Sequence, residues 1–592
     1  MNATAPGNLG LRDIMVALDW IQENIEDYGG DKSQVTIFGH SAGSMAISAL
    51  LTNQQAKFNR AILQAGTLVR PFFKLLSKTN LTKINYDFSE QFDCSGDSTV
   101  TCMQSQTVEE LVHQTFFKPV HTIWEPTLDD KLDNPVFPLD PVQAILNGNF
   151  KDVDLIIGSS SGDGIAQLGG NVLSNSTDYD YLQKNFKIKG PSLMLGRQEP
   201  DAEDMVFAEQ LRYFYTGESV LNSSVDKEMV ELMSDNMYET GGRSMLEILS
   251  FVSEKNHYQY LFDYVGTNTY TNILYNLSRP DLGACHGDIL FYLFTGKEDN
   301  LVSDSDKIIS NMLLEYWTNF AKTGNVNGVD TATEWDSFTM QNQKFLQISP
   351  DSLMKSADVK KLQFWRNFLD LPPVTESSAG LMQGSYRTST KGKCILSYQG
   401  VPYAKPPMKS LRFMDPVETD PWQGVLDATS EPPKCLQFTE DYGLSEKMSE
   451  DCLFLDIYTP CALDDSSSLP VMVWIHGGDY MYGGGGTEFY GPEYLVDEGV
   501  ILVTVQYRLA PFGFISLESS VMPGNQGLKD QKLALSWVQD HIESLGGNKD
   551  EVTLFGENAG SERKFNLLFF SIYNSVLIKK TYFKNNRIIL NS

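Results

Sequence analysis

The chain has 592 residues, of which 41% are hydrophobic and 11% aromatic, enough apolar mass for a large core and a length that normally divides into several domains. A formal net charge of −30 argues against binding to nucleic acid or to anionic membrane and reads as a solvated acidic surface. Seven cysteines in so long a chain do not make a disulfide scaffold, and no apolar run reaches the roughly 20 residues that a membrane span needs.

Residues 11–26 carry Leu11, Ile14, Leu18, Ile21 and Ile25 on one helical stripe, and Gly29-Gly30 ends that helix. Val35-Thr-Ile-Phe reads as a short buried strand. It runs directly into Gly39-His-Ser-Ala-Gly43, and an Ala/Met/Ile/Leu segment to about Leu51 reads as a helix. Strand, sharp turn and helix are the context in which G-x-S-x-G presents a nucleophilic serine, here Ser41. The turn predicts a strained Ser41, glycine at 39 and 43 to relieve crowding, and the Ala42 N–H aimed at an incoming carbonyl oxygen. Alternating strand and helix patterns continue to about residue 370, with a strand at Val153–Gly158 and a long helix at Lys307–Ala321. Such alternation implies an α/β fold around a mostly parallel sheet flanked by helices.

Leu371-Pro372-Pro373 breaks this pattern, and the Thr-Glu-Ser-Ser-Ala-Gly run after it reads as a linker. The second segment is expected to hold strands at Cys452–Tyr458, Val471–Ile475 and Val500–Tyr507. It also repeats the first: Pro6-Gly-Asn-Leu-Gly-Leu-Arg-Asp13 returns as Pro523-Gly-Asn-Gln-Gly-Leu-Lys-Asp530, and the match runs on to a second elbow, Gly556-Glu-Asn-Ala-Gly560. There Asn558 stands where Ser41 stands, and a neutral carboxamide is no acyl-transfer nucleophile. The boundaries read as 1–372, 373–560 and a basic, Lys/Asn/Ile/Phe-rich tail at 561–592 that looks non-native or disordered.

A serine nucleophile needs a general base, and the base needs an orienting carboxylate. Of the seven histidines, His40 adjoins Ser41 and diverges from it, His476 sits in a glycine loop, and His541 lies on a helix. His113, His121 and His257 have ordinary polar neighbourhoods. His286, in the small-residue loop Gly283-Ala-Cys-His-Gly-Asp288, remains as the base. The acid should lie between Ser41 and His286 on a loop after a strand. Asp163, after Leu155-Ile-Ile-Gly, meets that description, with Asp152 and Asp154 as open alternatives. An oxyanion hole requires further main-chain donors. Val471-Met-Val-Trp-Ile-His-Gly477-Gly478 supplies them in a strand running into an H-G-G type loop. No His/Cys cluster has metal-ligand spacing, and the chemistry calls for no cofactor.

Taken together, GNLGLRD, VTIFGHSAG, FWRNF, YQGVPYAKPP, SEDCLFLDIYTP, VMVWIHGG and GNQGLKDQKLALSWVQ resemble the type-B carboxylesterase family, the cholinesterase-like α/β hydrolases. The resemblance implies an α/β-hydrolase fold and a serine carboxylic-ester hydrolase acting through an acyl-enzyme on a small-molecule ester. Ser41, Asp163 and His286 would form its triad, with Ala42, Gly477 and Gly478 around the oxyanion. It implies disulfides Cys94–Cys102 and Cys435–Cys452, which with sequons at Asn2, Asn80, Asn175, Asn222 and Asn276 favour a secretory route, although no signal peptide is visible at Met1-Asn-Ala-Thr-Ala-Pro. The family order is permuted here, with its later part first and the elbow duplicated, as in a fusion of two genes. Residues 374–520 are expected to complete the site in cis, or by exchange in a homo-oligomer. Asp479, where the family has Gly or Ala, puts a carboxylate near the developing negative charge at a cost of roughly 1–3 kcal/mol. The competing readings are a non-catalytic cholinesterase-like binding or adhesion protein and an inactive fused product.

Overall fold

The computed structural model describes residues 7–69, 86–117, 126–130, 132–169, 173, 176–195, 201–217, 220–296, 301–329, 331, 333–339, 342–358, 361, 364–365, 373–391, 393–437, 448–461, 468–519, 522–558 and 580–581. The sequons at Asn2, Asn80 and Asn175, His121, Ala559-Gly560, the Leu371-Pro372 break and all of the tail but Lys580–Thr581 lie outside them. The chain divides into two compact units, Met1–Asp370 and Leu371–Ser592.

Unit 1 is built on a six-stranded sheet in simple sequence order: β1 (Thr36–His40), β2 (Arg60–Gln64), β3 (Asp154–Ser160), β4 (His257–Phe262), β5 (Lys344–Ile348) and β6 (Leu353–Ser356). All neighbours are parallel except β5 and β6. β2 to β4 are buried nearly throughout because both faces are covered, as parallel strands require. On one side α5 (Asp304–Thr323) buries Ile309, Leu313, Tyr316, Trp317 and Phe320 beside Tyr258, Tyr260 and Trp335. It starts on a capping box, in which Ser303 accepts from the Asp306 N–H and Asp306 accepts from the Ser303 N–H, and it stops at Gly324 with φ 79°. The other helices used below are α1 (Leu9–Asn24), α2 (Ala42–Leu50), α3 (Asp226–Ser234) and α4 (Thr240–Val252), the last two joined by a π-helical turn at Asp235–Glu239.

Unit 2 opens on a hairpin rather than a linker. β7 (Val374–Ser377) pairs antiparallel with β8 (Gly380–Gln383), and β8 pairs with β11 (Val425–Asp427). The Thr-Glu-Ser-Ser-Ala-Gly run supplies one strand and its tight turn, with Gly380 at φ 138°, so the polar composition marks a hairpin bend. The main sheet runs in the order β16 (Lys580–Thr581), β15 (Gly547–Gly556), β13 (Leu469–Ile475), β14 (Ile501–Val505), β12 (Phe454–Pro460), β10 (Cys394–Pro402) and β9 (Ser385–Thr388). β13 to β16 pair in parallel, and β9, β10 and β12 form an antiparallel edge. α6 (Gln526–His541) packs Ala534, Leu535, Trp537 and Val538 into its core. Disulfides join Cys94–Cys102 and Cys435–Cys452, together with Cys394–Cys461, a pairing the spacing did not single out; Cys285 is a buried free thiol.

The internal repeat places one sequence in two environments. In unit 2, β15 lies between β13 and β16, and α6 buries Trp537 to 3% exposure; Asp530 forms a fully buried pair with Arg508, Nη2–Oδ1 2.6 Å. In unit 1, β1 stands at one end of its sheet, Trp20 is 51% exposed, Phe38 is 48% exposed and Asp13 faces solvent. The apolar pattern is shared. The burial differs because in unit 2 a parallel strand and an arginine stand against the repeated elements.

Candidate active site

The turn from β1 to α2 has the geometry that its spacing predicts. Ser41 adopts φ 55° and ψ −121°, outside the regions open to ordinary residues and worth roughly 1–3 kcal/mol of strain. Its N–H donates to the Gln64 carbonyl at 2.9 Å, and its carbonyl accepts from the Met45 N–H at 3.0 Å. A Cβ at Gly39 would stand 2.6 Å from the Gly43 carbonyl carbon, so glycine is required there. At Gly43 a Cβ would meet nothing within 4 Å, which corrects the expectation that both glycines relieve crowding. Ala42 opens α2, so its N–H lies among the first-turn donors that have no partner inside the helix, at the end where the helix dipole favours negative charge.

Asp163 and His286, which are 123 residues apart, meet with Oδ1 2.9 Å from Nδ1. Their loops are stitched by one backbone and one side-chain hydrogen bond: the Gly162 N–H donates to the Ala284 carbonyl at 2.8 Å, and the Ala284 N–H donates to Ser161 Oγ at 3.1 Å. Asp163 is fully buried, and its other oxygen accepts from the Ser160 N–H at 2.7 Å. Of the open alternatives, Asp152 accepts from the Ser253 hydroxyl, and Asp154 accepts from the Asn256 N–H and stands 3.7 Å from Arg60 Nε. Asp163, and neither of these, pairs with His286. His286 also packs on the rings of His40, 4.4 Å between centroids, and Tyr238, 4.6 Å. Because His40 immediately precedes Ser41, this contact brings the loop of His286 to the elbow. Tyr238 comes from the π-helical turn between α3 and α4, and its hydroxyl accepts from Gln167 Nε2 at 2.7 Å. Neither His40 nor Tyr238 was singled out for this role by sequence; a ring from a π-helical turn leaves no period for a pattern to detect.

Three charges in this region are set by burial. Burial, and then the neighbouring His286, push His40 down to about 4, so it is neutral at ordinary pH. Burial pushes the Cys285 thiol up to about 12, leaving it protonated and inert. Burial holds Asp288 up at about 6, although it accepts from the N–H groups of Tyr270 and Cys285 and from the Thr269 hydroxyl.

Gly477 and Gly478 lie in unit 2, and there the loop faces the second elbow. A Cβ at Gly477 would stand 3.0 Å from the Glu557 carbonyl and 3.1 Å from Asn558 Cβ. Asn558 takes a positive φ of 44°, as Ser41 does at 55° in unit 1. His476 is fully buried, stacked on Tyr507 at 4.5 Å, and pushed down to about 4 by burial. Asp479 has φ 49° and an exposed side chain, where solvent screens its charge. Among the described residues, no group of His, Cys, Asp and Glu has the arrangement of a metal site, and no helix is long and apolar enough to cross a membrane.

The model of the carboxylesterase family matches residues 1–365 and 372–581. Among curated relatives, a carboxylic ester hydrolase of Bombus ignitus is 43% identical over 201 residues, covering 33% of this chain and 36% of its own length. Carboxylesterase 1C of Mus musculus is 45% identical over 204 residues, covering 32% and 36%, and a juvenile hormone esterase of Tribolium castaneum is 43% identical over 192 residues, covering 32% of each. The chain thus spans about a third of the length of these curated relatives. The crystal structure of a juvenile hormone esterase from Manduca sexta is 37% identical, with a TM-score of 0.33, over 36% of this chain and 41% of that one. A parallel sheet flanked by helices, a serine on a strained strand-to-helix turn, and a family match across both units lead to one conclusion: the chain belongs to the carboxylesterase family and has its α/β-hydrolase fold.

Proposed function

We propose that the chain is a carboxylic ester hydrolase in which Ser41 is the nucleophile, His286 the general base and Asp163 the orienting carboxylate. The observation that carries this reading is the 2.9 Å contact between Asp163 Oδ1 and His286 Nδ1 beside a serine at φ 55°. In this mechanism the Ser41 oxygen attacks the ester carbonyl carbon as its proton passes to His286 Nε2. The Asp163 carboxylate stabilises the resulting imidazolium. That proton then goes to the departing alcohol as the C–O bond breaks, leaving an acyl-enzyme. Water adds to the acyl carbon, its proton passes to His286 and on to Ser41, and the carboxylic acid leaves. The Ala42 N–H, at the start of α2, is assigned to the oxyanion. Within unit 2 the Gly477–Gly478 loop faces Asn558 of the second elbow.

The substrate in this reading is a small-molecule carboxylic ester, as the names of the relatives suggest. Three disulfides and exposed sequon asparagines at Asn222 and Asn276 support a secretory compartment. The test is covalent labelling of the full chain by a fluorophosphonate, together with turnover of p-nitrophenyl acetate. Both should be abolished by Ser41→Ala. A chain that is not labelled, or that labels equally well without Ser41, refutes the assignment.

A further inference from the structure

His286 sits on a loop whose backbone does little to fix its ring. Gly283 and Gly287 flank it at φ 90° and 92°, and the side chain of His286 remains 16% exposed. The Asp163 contact fixes one ring nitrogen but leaves the ring free to rotate about that bond. What opposes rotation is packing against His40 at 4.4 Å, with 46° between ring planes, and against Tyr238 at 4.6 Å, with 31°. The two rings are held differently. Tyr238 is tied to Gln167 through its hydroxyl, whereas His40 is fixed by the elbow itself, because β1 ends at His40 and Ser41 follows. His40 therefore links the position of the base directly to that of the nucleophile. Its Nε2 is buried and has no hydrogen-bond partner among the described residues, so its contribution here is ring packing.

We propose, resting on the esterase reading above, that His40 is a positioning residue: its ring holds the His286 imidazole in the orientation from which it can take the Ser41 proton. His40 can do this only as a neutral ring. A charge 4.4 Å away would oppose the imidazolium that forms on His286, and burial keeps His40 uncharged at working pH. The other titratable groups packed around the pair are Asp163 from the loop after β3, Tyr238 from the π-helical turn, Cys285 and Asp288 on the His286 loop, and Tyr270, whose ring stands 3.0 Å from a Cβ built on Gly287. Asp288, held up at about 6 by burial, is the same in every variant and in the parent chain with which each is compared.

The experiment compares His40→Ala, His40→Phe and His40→Glu in the full chain, reading kcat and KM on p-nitrophenyl acetate, the pH profile of kcat/KM and the melting temperature. Alanine should lower kcat roughly tenfold with KM within about twofold, because misorientation of the base affects the transition state and not binding. Phenylalanine, which restores a ring without a titrating group, should recover kcat to within about threefold. Glutamate should move the acid limb up by about one pH unit, since an anion beside His286 favours the imidazolium and the base must be neutral to act. An alanine variant with parental kcat overturns the proposal, as does phenylalanine that melts like the parent yet fails to restore kcat. Alanine and phenylalanine decide the matter if the glutamate chain does not fold. A parent chain that no fluorophosphonate labels would overturn the esterase reading itself; a labelled parent with an indifferent His40 overturns only this inference.

Discussion

Replacing Asp163 by asparagine tests the site most directly, because the structure dictates which way the new amide must face. The Ser160 N–H, 2.7 Å from Oδ2, requires an oxygen at that position. The amide NH₂ is then turned toward His286 Nδ1, where Oδ1 now stands at 2.9 Å. A donor facing Nδ1 forces the proton of the neutral imidazole onto Nε2, the nitrogen that must accept from Ser41. The variant also loses the anion that stabilises the imidazolium. At about 4 Å between charge centres and an effective dielectric near 20, that attraction is about 4 kcal/mol, which corresponds to roughly a thousandfold in rate. With the wrong tautomer added, kcat is expected to fall by roughly 10³–10⁴. The assay is kcat on p-nitrophenyl acetate alongside the rate of fluorophosphonate labelling, with the melting temperature as a check on folding. Asp152→Asn and Asp154→Asn should leave both rates within about twofold. An Asp163→Asn chain that keeps kcat within tenfold, or an Asp152 or Asp154 variant that loses it, refutes the reasoning.

Gly39→Ala should destabilise unit 1 by about 1–3 kcal/mol, because its Cβ would lie 2.6 Å from the Gly43 backbone, whereas Gly43→Ala meets open space and should change stability by less than about 1 kcal/mol; paired melting curves check the contrast. His40, His257 and His476 are each pushed by burial down to about 4. Such groups bind protons in the unfolded chain below about 6.5 but not in the folded one, so stability is fully present above that pH and falls as pH drops toward 4. Melting temperatures measured from pH 7 to 5 should decline, and His257→Asn should flatten the decline. Breaking Cys394–Cys461 by Cys394→Ser should cost unit 2 about 4 kcal/mol on the chain-entropy estimate for a separation of 67 residues, against about 2.5 kcal/mol for the separation of 8 at Cys94–Cys102; chemical denaturation of the two single variants reads the difference.

Local chemistry written in adjacent residues was legible without coordinates. The elbow declared itself because strand, turn and helix follow one another within sixteen residues, from Val35 to about Leu50. The strands at β3 and β13, the helix at α5, the duplication and the loss of the second nucleophile at Asn558 are likewise patterns of neighbouring side chains. Three readings went astray or stayed open. Gly43 looked crowded because the motif contains it, yet crowding depends on where another backbone passes. The polar run after Pro373 looked like a linker, but the hairpin it forms depends on its pairing with β8. The choice among Asp152, Asp154 and Asp163 stayed open because spacing does not say which carboxylate faces His286.

By itself the sequence determined the family and the layered α/β architecture and singled out Ser41 as the candidate nucleophile, since these follow from periodicity, turn chemistry and short contiguous motifs. Only tertiary structure decided that Asp163 meets His286, that the rings of His40 and Tyr238 pack on that imidazole, and that Cys394 pairs with Cys461. It also decided that one repeated helix buries its tryptophan while its twin leaves Trp20 half exposed. The physical reason is the same throughout: these properties belong to what lies across from a residue, and partners brought together from 48 to 246 positions away leave no trace in the local order of side chains.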